Sequence, residues 1–259
     1  VDARTGSGDD VPVSHDLPES ELRAMWRFDA PAASEAVLRA AADGSSTAPA
    51  RQAELLTQVA RALGLQGRSA EAHRVLDGVE PLAAAVSVRV LLERGRLHRD
   101  AGELGLPAAV SCFEAAAEAA RQAGLDVLEV DALHMLALAD QDRVGMWTER
   151  GLAVVAASQD PETLRWVVAL ENNYAWDLMD RGRPEEALTR FEAAHAAALE
   201  IGSPEQEQIG RWAVARCLRE LGRYTEALDI QRALADERPE DPYVAEELAT
   251  LEGIVGRGA

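Results

Sequence analysis

Asp131 and His134 lie three residues apart in the segment D-A-L-H-M, whose apolar spacing is helical, so the two side chains share one face about a turn apart. A carboxylate and an imidazole at that spacing suit an acid–base pair or two of the ligands of a metal ion. A metal needs further ligands, and no third one accompanies them in the sequence. Asn172 and Asn173 are the only asparagines in the 259 residues and stand side by side in E-N-N-Y-A-W. Amide side chains on a helix face can bind a peptide backbone or hydrogen-bond a neighbouring helix, and both readings stand. The sequence has no G-x-S-x-G elbow, no phosphate-cradling glycine loop after a strand, no H-E-x-x-H and no Cys/His pairing. Cys112 and Cys217 sit in apolar helical stretches and read as reduced core residues. These observations predict a non-enzymatic chain with no metal and no cofactor.

Bulk composition narrows the partners. The chain is 47% hydrophobic but only 4% aromatic, so its core must be built from Ala, Leu and Val, a composition that favours helices. Twenty-six basic residues, all arginine, oppose 45 acidic ones, for a net charge of -19 and a pI near 4.6. Such a charge repels nucleic acid and anionic membranes. The sequence has no apolar run long enough for a membrane span and no secretory start, so a cytoplasmic location is expected.

The elements that position these residues repeat. G-R-S-A-E-A-H-R-V-L (67–76), G-E-L-G-L-P-A-A-V-S-C-F (102–113), G-R-P-E-E-A-L-T-R-F (182–191) and G-R-Y-T-E-A-L-D-I-Q (222–231) each follow an amphipathic segment. Glycine permits the turn between two antiparallel helices, and a small alanine lets the second pack closely on the first. These segments resemble the tetratricopeptide repeat. Gly67, Gly102, Gly182 and Gly222 match its turn glycine, Ala72, Ala109, Ala187 and Ala227 its small residue, and Phe113 and Phe191 its aromatic. Ala116 and Ala194 match the next small place, Gly95 the first-helix glycine, and Pro81, Pro204 and Pro239 the closing proline. Two extra residues enter at 103–108, and the copy near 126–159 lacks the turn glycine. The order of W-R-F-D-A-P-A-A-S-E-A, L-L-E-R-G-R, D-A-L-H-M, N-N-Y-A-W and R-W-A-V-A-R is similar to that of a group of bacterial tetratricopeptide proteins, which bears on fold and adds nothing on chemistry.

The resemblance implies an all-α, right-handed superhelical solenoid of antiparallel helix pairs, about twelve helices in all. Residues 1–21 are expected to be a disordered leader, and 22–256 a single solenoid. Its parts are a half-repeat at 22–44, full repeats at about 51–81, 86–123, 126–160, 163–204 and 206–239, and a terminal helix at 242–255. In that family the first helices line a concave groove. Its register points Arg61, Arg89, Arg96, Arg99, Asp131, His134, Asn172, Trp176, Trp212, Arg216 and Arg219 inward, with Asn173 beside them. Six of the twenty register places are arginine and two are acidic, which reverses the balance of the whole chain. Arginine forks match carboxylate or phosphate. Glu93, Asp100, Asp180 and Glu220 stand beside those places and could neutralise them in ion pairs.

The expected function is thus a protein- or peptide-binding scaffold whose partner carries acidic groups, with self-association open. An alternative is a sensor of an anionic small molecule or signalling peptide in the same groove.

Overall fold

A computed structural model of the chain describes residues 17–201 and 203–258. Most of the expected leader, residues 1–16, lies outside the described residues. Its last residues do not behave as a leader: Leu17 is buried in a core together with Leu22 just beyond, and a helix begins at Glu19. Two leucines that can reach apolar neighbours repay the ordering of that short segment.

Every regular element among the described residues is helical, and consecutive helices pack on one another, the all-α helix-pair architecture expected. The order is α1 (Glu19–Met25), α2 (Pro31–Gly44), α3 (Pro49–Leu65), α4 (Ser69–Asp77), α5 (Ala84–Asp100), a 3₁₀ turn (Glu103–Gly105), α6 (Leu106–Ala123) and α7 (Asp126–Ala139). There follow α8 (Val144–Ala157), α9 (Pro161–Leu164), α10 (Trp166–Asp180), α11 (Pro184–Ile201), α12 (Pro204–Glu220), α13 (Tyr224–Glu237) and α14 (Pro242–Gly258). Short connections join successive helices. Two elements went unforeseen. Helix α1 precedes the expected lone helix α2. The start of the 163–204 repeat is split by α9, which Asp160 caps by accepting from the N–H groups of Glu162 and Thr163.

Three of the turns share one mechanism. Gly67, Gly182 and Gly222 have φ of 73°, 69° and 74°, a conformation that costs a side chain energy but not glycine. Behind each, the next residue's N–H reaches back to close the helix: Arg68 to Leu63 O, Arg183 to Leu178 O and Arg223 to Leu218 O, all at 2.9 Å. The same arginines then brace the start of the following helix, Arg68 on Glu71, Arg183 on Glu186 and Arg223 on Glu226, each by two hydrogen bonds of 2.6–2.7 Å. The copy without a glycine turns differently. Between α7 and α8 the Asp140 carboxylate accepts from Trp147 Nε1 at 2.9 Å and pairs with Arg143 at 2.6 Å.

The described residues group into two compact units, one up to Glu129 and one from Val130, with the division inside α7. In the first, Leu38, Leu55, Val59, Leu63 and Leu76 bury together, each worth about 1.5–3 kcal/mol against exposure. Its second hairpin is fitted tightly: a Cβ on Gly95 of α5 would lie 2.4 Å from the Phe113 ring of α6. In the second unit Ala175, Phe191, Ala213, Cys217 and Leu251 form the main core. The residue four places after each small alanine is fully or almost fully buried in every hairpin: Leu76, Phe113, Phe191 and, in the last, Gln231. A polar amide at that apolar place is the one departure from the pattern.

Candidate functional site

In the first unit the register arginines are all held by protein groups. Arg61 of α3 lies over the rings of Trp26 and Phe28, 5.4 and 5.5 Å from their centroids, and those rings are themselves stacked. Arg89 of α5 is 4% exposed, pairing with Glu19 of α1 and, at 3.3 Å, with Glu54 of α3. Arg96 is buried against Glu93, and Arg99 meets Asp100 at 3.0 Å. In the second unit Arg216 pairs with Glu220 and lies 3.7 Å from Glu247 of α14. Arg219 donates to Glu247 at 2.5 Å and lies 3.3 Å from Glu220. Five of these six register arginines are thus ion-paired from within, and Arg61 lies against aromatic rings. The neighbouring carboxylates Glu93, Asp100 and Glu220 all take part, together with Glu19, Glu54 and Glu247 from other helices.

Asp131 and His134 occupy α7, but their surroundings are those of a packed helix. Asp131 is buried, and the His134 ring packs 5.3 Å from that of Trp166. His134 Nε2 and Asn173 Nδ2 lie 2.7 Å apart, within hydrogen-bonding distance. Asn172 Nδ2 donates in turn to Asn173 Oδ1 at 3.4 Å. Asn173 therefore links α10 to α7, the structural reading of the pair, whereas Asn172 makes only that one side-chain bond among the described residues. Among the described residues no group of three His, Cys, Asp or Glu side chains could hold a metal ion. Trp176 packs edge-on against Phe191, with centroids 4.9 Å apart. Trp212 donates Nε1–H to the Tyr243 carbonyl at 3.2 Å, tying α12 to α14.

Between these packed groups the second unit carries a row of hollows. The first, of about 340 Å³, lies between α7 and α10 and is lined by Leu138, Gln141, Val144, Asn173 and Trp176 with Asp177, Asp180 and Arg181. The next, of about 180 Å³, lies between α10, α11 and α12, against Val168, Ala169, Asn172, Asn173, Gln206 and Ile209. A third, of about 260 Å³, lies between α12 and α14, against Gln208, Ile209, Trp212, Asp241, Tyr243 and Val244. Asn173 borders the first two and Ile209 the last two, so neighbouring hollows share a wall residue. In the middle hollow Gln206 Oε1 is buried without a hydrogen-bond donor, where most buried polar atoms have one. A glycine in its wall lets two helices pack closely: a Cβ on Gly210 of α12 would lie 3.0 Å from His195 of α11.

The register residues Asn172, Trp176 and Trp212, with Asn173 beside them, line this row. The register misses Gln206 and Tyr243, which fall outside its places. The signal that could have found Gln206 is the amide-rich start of α12, P-E-Q-E-Q-I-G, immediately after a helix that carries adjacent asparagines on its neighbour. No helix among the described residues is long and apolar enough to cross a membrane.

No known protein-family model matches the chain, and no curated protein proves significantly similar to it.

Proposed function

We propose that the chain is a tetratricopeptide-like, non-enzymatic scaffold whose second unit binds an extended peptide segment along the row formed by α7, α10, α12 and α14. The buried, donorless Gln206 carbonyl in the wall of the middle hollow carries this reading. An acceptor left unsatisfied costs about 1–3 kcal/mol, and a peptide N–H is the commonest donor that would satisfy it. Asn172 beside it offers the matching amide, while the mixed polar hollow beside α7 and the apolar one beside α14 suit alternate side chains of an extended strand. The internal neutralisation of Arg216 and Arg219 argues for amide and apolar recognition in place of the anion clamp suggested by the register. The free thiols of Cys112 and Cys217 fit a reducing, cytoplasmic setting.

The test is selection of a displayed random-peptide library on the full chain, followed by titration of the enriched peptides. The expected result is binding that weakens at least tenfold in Gln206→Leu and in Asn172→Ala, with unchanged circular dichroism. Enriched peptides that bind both variants as tightly as the parent, or a selection that enriches nothing, would overturn the reading.

A further inference from the structure

The hollow between α12 and α14 differs from its neighbours in being almost wholly apolar. Ile209 and Tyr243 at its mouth are 50% and 69% exposed, while Trp212 and the buried Val244 form its floor. Its two polar wall groups are already occupied by each other and by the backbone. Asp241 Oδ2 accepts from Gln208 Nε2 at 2.9 Å, and Oδ1 accepts from the N–H groups of Tyr243 and Val244 at the start of α14. At about 260 Å³ it falls below the roughly 300–1,000 Å³ of pockets that enclose whole drug-sized ligands, and it suits a single large side chain.

The surroundings of that hollow carry one sign of charge. Glu205 stands one helical turn before Ile209, Glu246 one turn after Tyr243, and Glu207, Glu240 and Asp241 lie between. Against these five carboxylates stands Arg238 in the connection from α13. The arginines of α12 do not offset them: Arg211 holds both carboxylate oxygens of Glu237 at 3.0 and 2.8 Å, and Arg216 and Arg219 are bound to Glu220 and Glu247. The whole second unit has 25 acidic residues and 13 arginines, so the wider field has the same sign.

Resting on the peptide-binding reading, we infer that the α12–α14 hollow is an anchor socket for one large apolar side chain of a basic partner segment, whose flanking Lys or Arg residues meet Glu205 and Glu246. An apolar anchor in a desolvated pocket with charges at its rim is the usual division of labour in recognition: the anchor sets residence time, and the rim sets attraction and salt dependence. The expected partner is therefore opposite in charge to the one the arginine register suggests.

Peptides enriched from the random library on the full chain provide the probe. The expected peptides carry net positive charge around one Leu, Met, Phe or Trp, and bind more weakly as salt is raised. Tyr243→Ala should weaken them about tenfold, and the doubly reversed Glu205→Arg, Glu246→Arg chain at least as much. Both sites are exposed, so the fold tolerates these changes, and matched thermal melts check it. Enriched peptides that are acidic, or that ignore these variants while still depending on Gln206, overturn the socket and leave peptide binding standing. A selection that enriches nothing overturns both.

Discussion

Gln231 offers the sharpest test of how the hairpins are packed. It is 0% exposed on α13, and neither its Nε2 nor its Oε1 has a hydrogen-bonding partner. The same place in other hairpins is filled by Leu76, Phe113 and Phe191, all but fully buried. A buried amide without partners costs about 1–3 kcal/mol relative to an apolar group. Methionine has the same unbranched length and similar rotamer freedom, so Gln231→Met removes the polar cost with a packing mismatch of less than about 1.5 kcal/mol. The net expectation is a gain of about 1–2 kcal/mol, or roughly 3–8 °C in Tm for a body of this size. Urea denaturation followed by circular dichroism gives the free-energy change, with an unchanged m-value showing that compactness has not altered. The reverse exchange, Phe191→Gln at the equivalent place, should cost about 3–5 kcal/mol. A loss of 1 kcal/mol or more in Gln231→Met would refute the reasoning, since the amide would then be satisfied by a group that the packing does not reveal.

Three further outcomes follow from the same geometry. Glu247→Ala removes the shared partner of Arg216 and Arg219, which keep Glu220 and some water; the loss should be about 1–2 kcal/mol, read as faster hydrogen exchange confined largely to α14. Gly95→Ala drives a methyl into the Phe113 ring and should destabilise by about 1–3 kcal/mol despite better helix propensity; Phe113→Leu should relieve much of it, giving a favourable coupling in a double-mutant cycle. Cys217 is buried, with its Sγ 3.2 Å from the Pro184 carbonyl, and burial pushes its thiol up to about 11. It should resist thiol reagents at pH 8 until urea unfolds the chain. Because its value is raised on folding, its contribution to stability is complete below the ordinary thiol range and is lost as pH climbs toward about 11. Rapid labelling of native protein at Cys217 would contradict the burial.

Much of the helix order is legible in the chain itself. Glycine at positive φ and a small residue five to seven places later are local requirements of the helix pair, so Gly67, Gly102, Gly182 and Gly222 mark their turns without reference to the rest of the molecule. The turn at Asp140 is less legible, because a side-chain acceptor for Trp147 does a job that glycine does elsewhere, and its partner lies seven residues away. Helix α1 is shorter still, and its order rests on Leu17 and Leu22 finding a core and Glu19 finding Arg89, seventy residues on.

The candidate site divides in the same way. Residue type and register are sufficient to bring Asn172, Trp176 and Trp212 to the faces of α10 and α12, since the 3.6-residue period alone sets them there. Whether a charge on such a face is available to a partner depends on groups far away in sequence. Arg96, Arg99 and Arg216 pair with Glu93, Asp100 and Glu220 of their own helices, as their spacing allows, whereas Arg89 and Arg219 are paired by Glu19, Glu54 and Glu247, brought in by other helices. A guanidinium's reach is long, and its Coulomb energy depends on whichever carboxylate arrives within about 4 Å. Helical periodicity is a local property and was readable in advance; the electrostatic sign of the surface is a sum over neighbours, and only the tertiary structure decided it.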